Sequence, residues 1–156
     1  MRQIARQDQM MEVKYFTLES ANEMIPFLTD KILQMRKIKS EILQVTALLE
    51  KNGTNMEELF KKSDLTPEEQ SQRHFLEKLG DEINDFMFDI QERGAILKDI
   101  EQGLVDFHTK IAGEEALLCW KFGEPEIAFW HDLESGFSGR KSLFTKEILE
   151  SVTKLH

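Results

Sequence analysis

The chain has 156 residues, 40% hydrophobic and 31% charged, with a formal net charge of −9, which is enough for one ordinary globular domain with a real core. Basic residues alternate with acidic ones instead of clustering, so neither nucleic acid nor an anionic membrane surface is an expected partner. No apolar run approaches the roughly 20 residues of a membrane span, the opening MRQIARQDQMMEVK lacks a signal peptide's apolar stretch, and a single cysteine suits a reducing compartment; a cytoplasmic location is expected.

Residues 1–13 show no periodicity and are expected to form a flexible extension before a single α+β domain over 14–156. Thr17 is a good helix N-cap, with Glu19 in the first turn favouring the helix dipole. Apolar residues then recur as Leu18, Ala21, Ile25, Leu28, Ile32 and Met35, followed by Ile38, Ile42, Val45 and Leu49, at the three-and-four spacing of an amphipathic seam. Pro26 removes a hydrogen bond and clashes with the preceding turn, so a kink or a short leading helix is expected near Asn22–Ile25. Asn52-Gly53 supplies the residue types that tolerate a left-handed cap, and 55–62 suits a short helical turn. Thr66-Pro67-Glu68-Glu69 offers an N-cap, a first-turn proline and a capping-box glutamate. The second seam runs Leu76, Leu79, Ile83, Phe86, Ile90 and stops at Gly94. A long antiparallel helical hairpin over 17–93 follows.

After Gly94 the pattern breaks into short apolar runs at 96–98, 104–107, 116–121 and 127–131, which read as strands of a small antiparallel sheet over 95–141. The last two strands form a hairpin across Phe122-Gly123-Glu124-Pro125. Thr145 to Leu155 closes the chain as a short helix. A two-helix hairpin leaves apolar surface wet, so self-association is expected, as a dimeric four-helix bundle.

Between Leu117 and Arg140 lie both tryptophans, the only cysteine, His131-Asp132 and the loop Gly136-Phe137-Ser138-Gly139-Arg140. No catalytic signature is present, and no catalytic residue is assigned. A Cys119–His131 metal pair is disfavoured: with proline at the second turn position, Glu124 to Ile127 gives a two-residue loop, which sets Cys119 on the face of Ala128 and Trp130 and His131 on that of Trp120, Ile127 and Phe129. A three-residue loop or a bulge reverses this. The same argument removes His131 as a base for a Cys119 nucleophile. A carboxylate and imidazole set of Asp106, His131 and Asp132, with Asp99, suits a divalent metal better; the plainer expectation is no cofactor, with Asp106 capping a turn and His131 bonding a backbone carbonyl. Arg140 suits a small anion or, by preference, a clamp onto Asp132 or Glu134. The candidates for binding a ligand or partner are therefore Asp106, Trp130, His131, Asp132 and Arg140.

The blocks Lys14-Tyr15-Phe16-Thr17-Leu18-Glu19 with Ala21-Asn22, Gly103-Leu104-Val105-Asp106-Phe107, Leu118-Cys119-Trp120-Lys121, Gly123-Glu124-Pro125-Glu126-Ile127, Trp130-His131-Asp132, Gly136-Phe137 and Gly139-Arg140 form a pattern. It resembles the uncharacterised bacterial domain-of-unknown-function family 2203, over roughly Lys14 to Leu143. The resemblance implies a shared fold and a shared special segment, and supplies no activity. Its members tend to have proline after the Asp-Phe pair, where this chain has His108, and Gln-Pro after Gly-Arg, where it has Lys141-Ser142. The expected function is a non-enzymatic, oligomeric interaction or small-ligand-binding protein that presents the sheet and loop to a protein partner or small anion. The alternative is a small metal-dependent enzyme or metal-binding protein using Asp106, His131 and Asp132.

Overall fold

Thr17 starts the helical part of the chain as its sequence predicts. In the computed structural model, which describes residues 12–144 and Ile148, its hydroxyl accepts from Ser20 N while the Ser20 hydroxyl accepts from Thr17 N, each at 3.0 Å. This capping box opens α1 (Leu18–Asn22). Pro26 cannot donate a main-chain hydrogen bond, and the helix breaks at Glu23-Met24 before resuming as α2 (Ile25–Lys51). Gly53, at φ +80°, turns the chain out of α2. Asn55 caps the short α3 (Met56–Lys61). Thr66 and Glu69 cap α4 (Pro67–Glu92) reciprocally, at 3.0 and 3.1 Å, and Gly94, at φ +91°, ends it.

The chain divides into two compact units. One is Leu33–Met87; the other joins the described residues up to Ile32 with those from Phe88 onward. In the first, Leu49, Leu59 and Leu76 form a buried cluster flanked by Ile42, Val45, Met56 and Leu65. No helix of the described residues is long and apolar enough to cross a membrane.

The other unit contains the sheet. Strands β1 (Ile96–Asp99), β2 (Leu104–Ile111), β3 (Glu114–Lys121), β4 (Phe129–His131) and β5 (Lys141–Ser142) lie in chain order and pair antiparallel throughout. The protein is thus α+β, helices first and sheet second. One sheet face carries Val105, Phe107, Thr109, Leu118 and Trp120, all fully buried. Phe16 meets Phe107 edge to face at 5.0 Å, and its main chain bonds His108 O and the Thr109 hydroxyl at 2.7 and 2.8 Å. The flexible extension proposed up to residue 13 lies largely outside the described residues, as does the helix proposed over 145–155 apart from Ile148.

The β3–β4 connection departs from expectation, and its register decides the site. The tight turn falls at Lys121–Glu124, not at Pro125-Glu126. Gly123 adopts φ +98° there, Glu124 N donates to Lys121 O at 3.0 Å, and the Glu124 carboxylate accepts from Lys121 N at 2.6 Å. Trp120 Nε1 donates to Glu124 O at 2.9 Å, while Asn22 Oδ1 accepts from Ile127 N at 2.7 Å. The chain rejoins the ladder only at Phe129, after an odd number of residues. Cys119 therefore pairs with Phe129, and Leu117 with His131.

Candidate metal centre

The register places Asp106, Cys119 and His131 on one sheet face. Asp106 is the direct partner of Cys119 across β2–β3. His131 sits two residues beyond Phe129, the partner of Cys119 on the other side. Since side chains repeat every second residue along a strand, a carboxylate, a thiol and an imidazole converge from three adjacent strands. One ligand atom from each lies within 4.8 Å of the others, and the residues are 3%, 1% and 1% exposed. The expectation that Cys119 and His131 occupy opposite faces is corrected: a one-residue change in loop parity exchanges the faces of a whole strand.

The imidazole's orientation is set by its neighbours. His131 Nδ1 lies 2.7 Å from Asp132 O. A carbonyl only accepts, so Nδ1 carries a proton. Nε2 faces Asp106 Oδ1 at 3.2 Å. In a neutral ring that nitrogen presents a lone pair to a carboxylate oxygen, which is repulsive unless a proton or a cation lies between them. Burial and the Asp106 charge push the Cys119 thiol up to about 12, although the adjacent Arg140 guanidinium opposes this. Such a thiol is a poor nucleophile. Both imidazole nitrogens are also committed elsewhere, so His131 has none left to activate it.

The other candidate residues have different placements. Asp132 is exposed, and its Oδ1 accepts from Ser135 N and Glu134 N at 2.7 and 3.0 Å. Those donors, Ser135 first, hold its carboxyl below the ordinary range. Asp132, not Asp106, is the turn cap; it serves His131 through its main-chain carbonyl and is no partner of Asp106 in a ligand set. Trp130 pairs with Leu118 and belongs to the opposite face, where the Lys141 ammonium lies 4.9 Å from its ring. Arg140 does clamp the loop onto the sheet, but its carboxylate is Glu124, at 2.6 Å, not Asp132 or Glu134. The same Nη2 donates to Cys119 O at 3.2 Å, and the guanidinium stacks on Phe129 and Phe137 at 4.1 and 4.6 Å. Asp99 accepts from Gln102 N in the β1–β2 turn. The two-residue-loop reading of the turn, not residue type, therefore set Cys119 aside. The signal was Gly123 beside Glu124, which moves the turn and changes its parity.

His108 follows Asp106 by two positions on the same face, and its Nδ1 is buried without a hydrogen-bond partner among the described residues. Burial lowers its pKa against the pull of Asp106, which leaves a neutral ring edge-on to Tyr15 at 6.4 Å.

An antiparallel sheet preceded by helices, with a mixed oxygen, sulfur and nitrogen cluster buried on one face, defines the class of protein. Residues 14–143 match the family described as uncharacterized conserved protein DUF2203. The chain belongs to that family. Comparison with curated proteins and with solved structures returned no match.

Proposed function

We propose that this is a metal-binding protein in which Asp106, Cys119 and His131 hold one divalent transition metal of the zinc or ferrous-iron type. The observation that carries the reading is the convergence of three unlike ligand atoms within 4.8 Å, with His131 Nδ1 on a carbonyl and Nε2 turned inward. Metal-binding histidines characteristically donate the remote N–H in this way, which fixes the tautomer. The donor set suits borderline metals: imidazole and thiolate favour zinc and iron, and the carboxylate is tolerated by both. The charges balance as well. A dication with one carboxylate and one thiolate is neutral, as a buried site requires. Three protein side chains would hold the ion and leave room for an exogenous ligand. The reading assigns binding and no reaction.

The test is metal analysis of the untagged full chain, incubated with zinc or, anaerobically, with ferrous iron and then desalted. About one equivalent is expected, with sharp loss in Cys119→Ser and His131→Ala. Cobalt substitution should add a sulfur-to-metal charge-transfer band that Cys119→Ser abolishes. Less than about a tenth of an equivalent in the folded parent would leave a buried Asp–His pair beside a core thiol, and would end the proposal.

Self-association through the helices accompanies this reading. The support for it is that Leu33, Leu43, Leu48 and Phe75 of the Leu33–Met87 unit are 52%, 60%, 45% and 40% exposed. Sedimentation at micromolar concentration should give a dimer mass. A monomer mass removes this part and leaves the metal reading standing.

A further inference from the structure

We infer that the segment from Asp132 to Arg140 is a metal-responsive element, tied at each end to a different ligand of the same site. The inference rests on the metal reading above and concerns what occupancy does to the rest of the molecule.

The segment leaves β4 directly after His131. Its first carbonyl, Asp132 O, accepts from His131 Nδ1 at 2.7 Å, and the Asp132 carboxylate folds the next turn by accepting from two main-chain N–H groups. The segment's last residue reaches back to Cys119. Arg140 Nη2 donates to the Cys119 carbonyl, and the guanidinium is stacked on the ring of Phe129, the cross-strand partner of Cys119. Between these anchors the segment is largely exposed, with one tight internal contact: a Cβ built on Gly139 would lie 2.4 Å from Ser135 Cβ and Oγ.

Arg140 Nε is buried and has no acceptor among the described residues. An unanswered buried N–H is costly. Metal loading changes both anchors in the same direction. A metal held by Cys119 would fix that residue on β3, and with it the main-chain carbonyl that Arg140 grips. On the other side, a metal held at Nε2 would polarise the imidazole and strengthen the Nδ1–H bond to Asp132 O. Neither change requires a new contact elsewhere. At the surface, the groups fixed by this response are Leu133 and Phe137, 49% and 37% exposed.

By reciprocity, whatever Arg140 contributes to metal affinity, the metal returns to the order of the segment. Outer-sphere partners of this kind typically alter affinity by about 10–100-fold, so the response should have that size. The experiment is hydrogen–deuterium exchange on the full chain, stripped by chelator and then loaded with one equivalent of zinc, with zinc binding titrated on the same material. Amides from Leu133 to Arg140 should slow by about tenfold or more on loading. In Arg140→Gln, zinc should still bind but about 10–100-fold more weakly, and loading should no longer protect the segment. Arg140→Lys should recover little, because a single ammonium cannot bridge the Cys119 carbonyl and the Glu124 carboxylate while stacking on Phe129 and Phe137. Zinc bound at full stoichiometry with exchange in the segment unchanged overturns the inference while leaving the metal site intact. So does Arg140→Gln binding zinc as tightly as the parent. If the parent takes up no zinc or ferrous iron, the metal reading itself fails, and this inference with it.

Discussion

His131 Nε2 and Asp106 Oδ1 face each other at 3.2 Å in the interior, while the other nitrogen of the same ring is committed to a main-chain carbonyl. Between them lies a place for one positive species. A proton and a metal ion both satisfy it, and substitutions tell them apart. Asp106→Asn keeps the shape and supplies an amide N–H to the Nε2 lone pair. The metal-free variant should stay within about 1 kcal/mol of the parent and lose metal binding. Asp106→Ala leaves Nε2 without a partner and should cost about 3–5 kcal/mol if the native pair is charged. Urea denaturation of the two variants decides. An Asn variant as unstable as the Ala variant means that Nε2 carries a proton in the resting protein.

Cys119 should be inert in the folded, metal-free chain. Its thiol is pushed from an ordinary 9.0 up to about 12, chiefly by burial and then by the Asp106 charge, so very little thiolate exists near neutrality. Alkylation by iodoacetamide should be slow when folded and fast in urea. The sign of the stability effect follows. The folded state holds this proton more tightly than the unfolded state, so the contribution is complete below pH 9.0 and is lost as pH rises towards about 12. Zinc affinity should instead rise with pH near neutrality, because binding releases the thiol proton. Flat affinity from pH 6 to 8 (measured by competition with a chelator of known pH dependence) would argue against sulfur ligation.

Gly139 should tolerate no side chain. A methyl group there would sit 2.4 Å from Ser135 Cβ and Oγ, well inside contact distance, so the turn must open. Gly139→Ala should cost about 1–3 kcal/mol as an overpacking change and weaken metal binding through Arg140. Ser135→Gly removes both offending atoms, and the double variant should regain most of the loss in thermal unfolding. Additive effects of the two changes would show that this contact is not the cause.

Thr66→Ala tests the helical unit separately. It removes the hydroxyl that accepts from Glu69 N at 3.1 Å, and should cost about 0.5–2 kcal/mol without changing metal binding. Glu69 carries the other half of the box. Its carboxyl is held below its ordinary value, first by Thr66 N and then by Lys62, so its contribution is present at neutral pH and is lost as acid protonates it. Thr66→Ala keeps the main-chain donor to Glu69, so this acid-sensitive share should be lost from parent and variant alike, which acid-dependent unfolding of the pair would reveal.

What the residues alone determine here is local. Thr17, Pro26, Asn52-Gly53, the Thr66–Glu69 box and Gly94 set helix starts, a break and stops, because caps, a missing N–H and positive φ act over one turn of chain. Short apolar runs bounded by glycines or charges likewise mark the strands. The site was only half legible: His131 and Asp106 announce themselves by type, whereas the place of Cys119 depends on whether the connection from Lys121 to Phe129 holds an odd or even number of residues. That parity is decided by contacts the order of residues does not display. Glu124 folds back onto Lys121 N, and Asn22, 105 positions away in sequence, takes the hydrogen bond of Ile127. A strand's side chains repeat every two residues, so one residue of slip would have moved the thiol to the opposite face of the sheet. Tertiary structure alone brought sulfur, carboxylate and imidazole to one point.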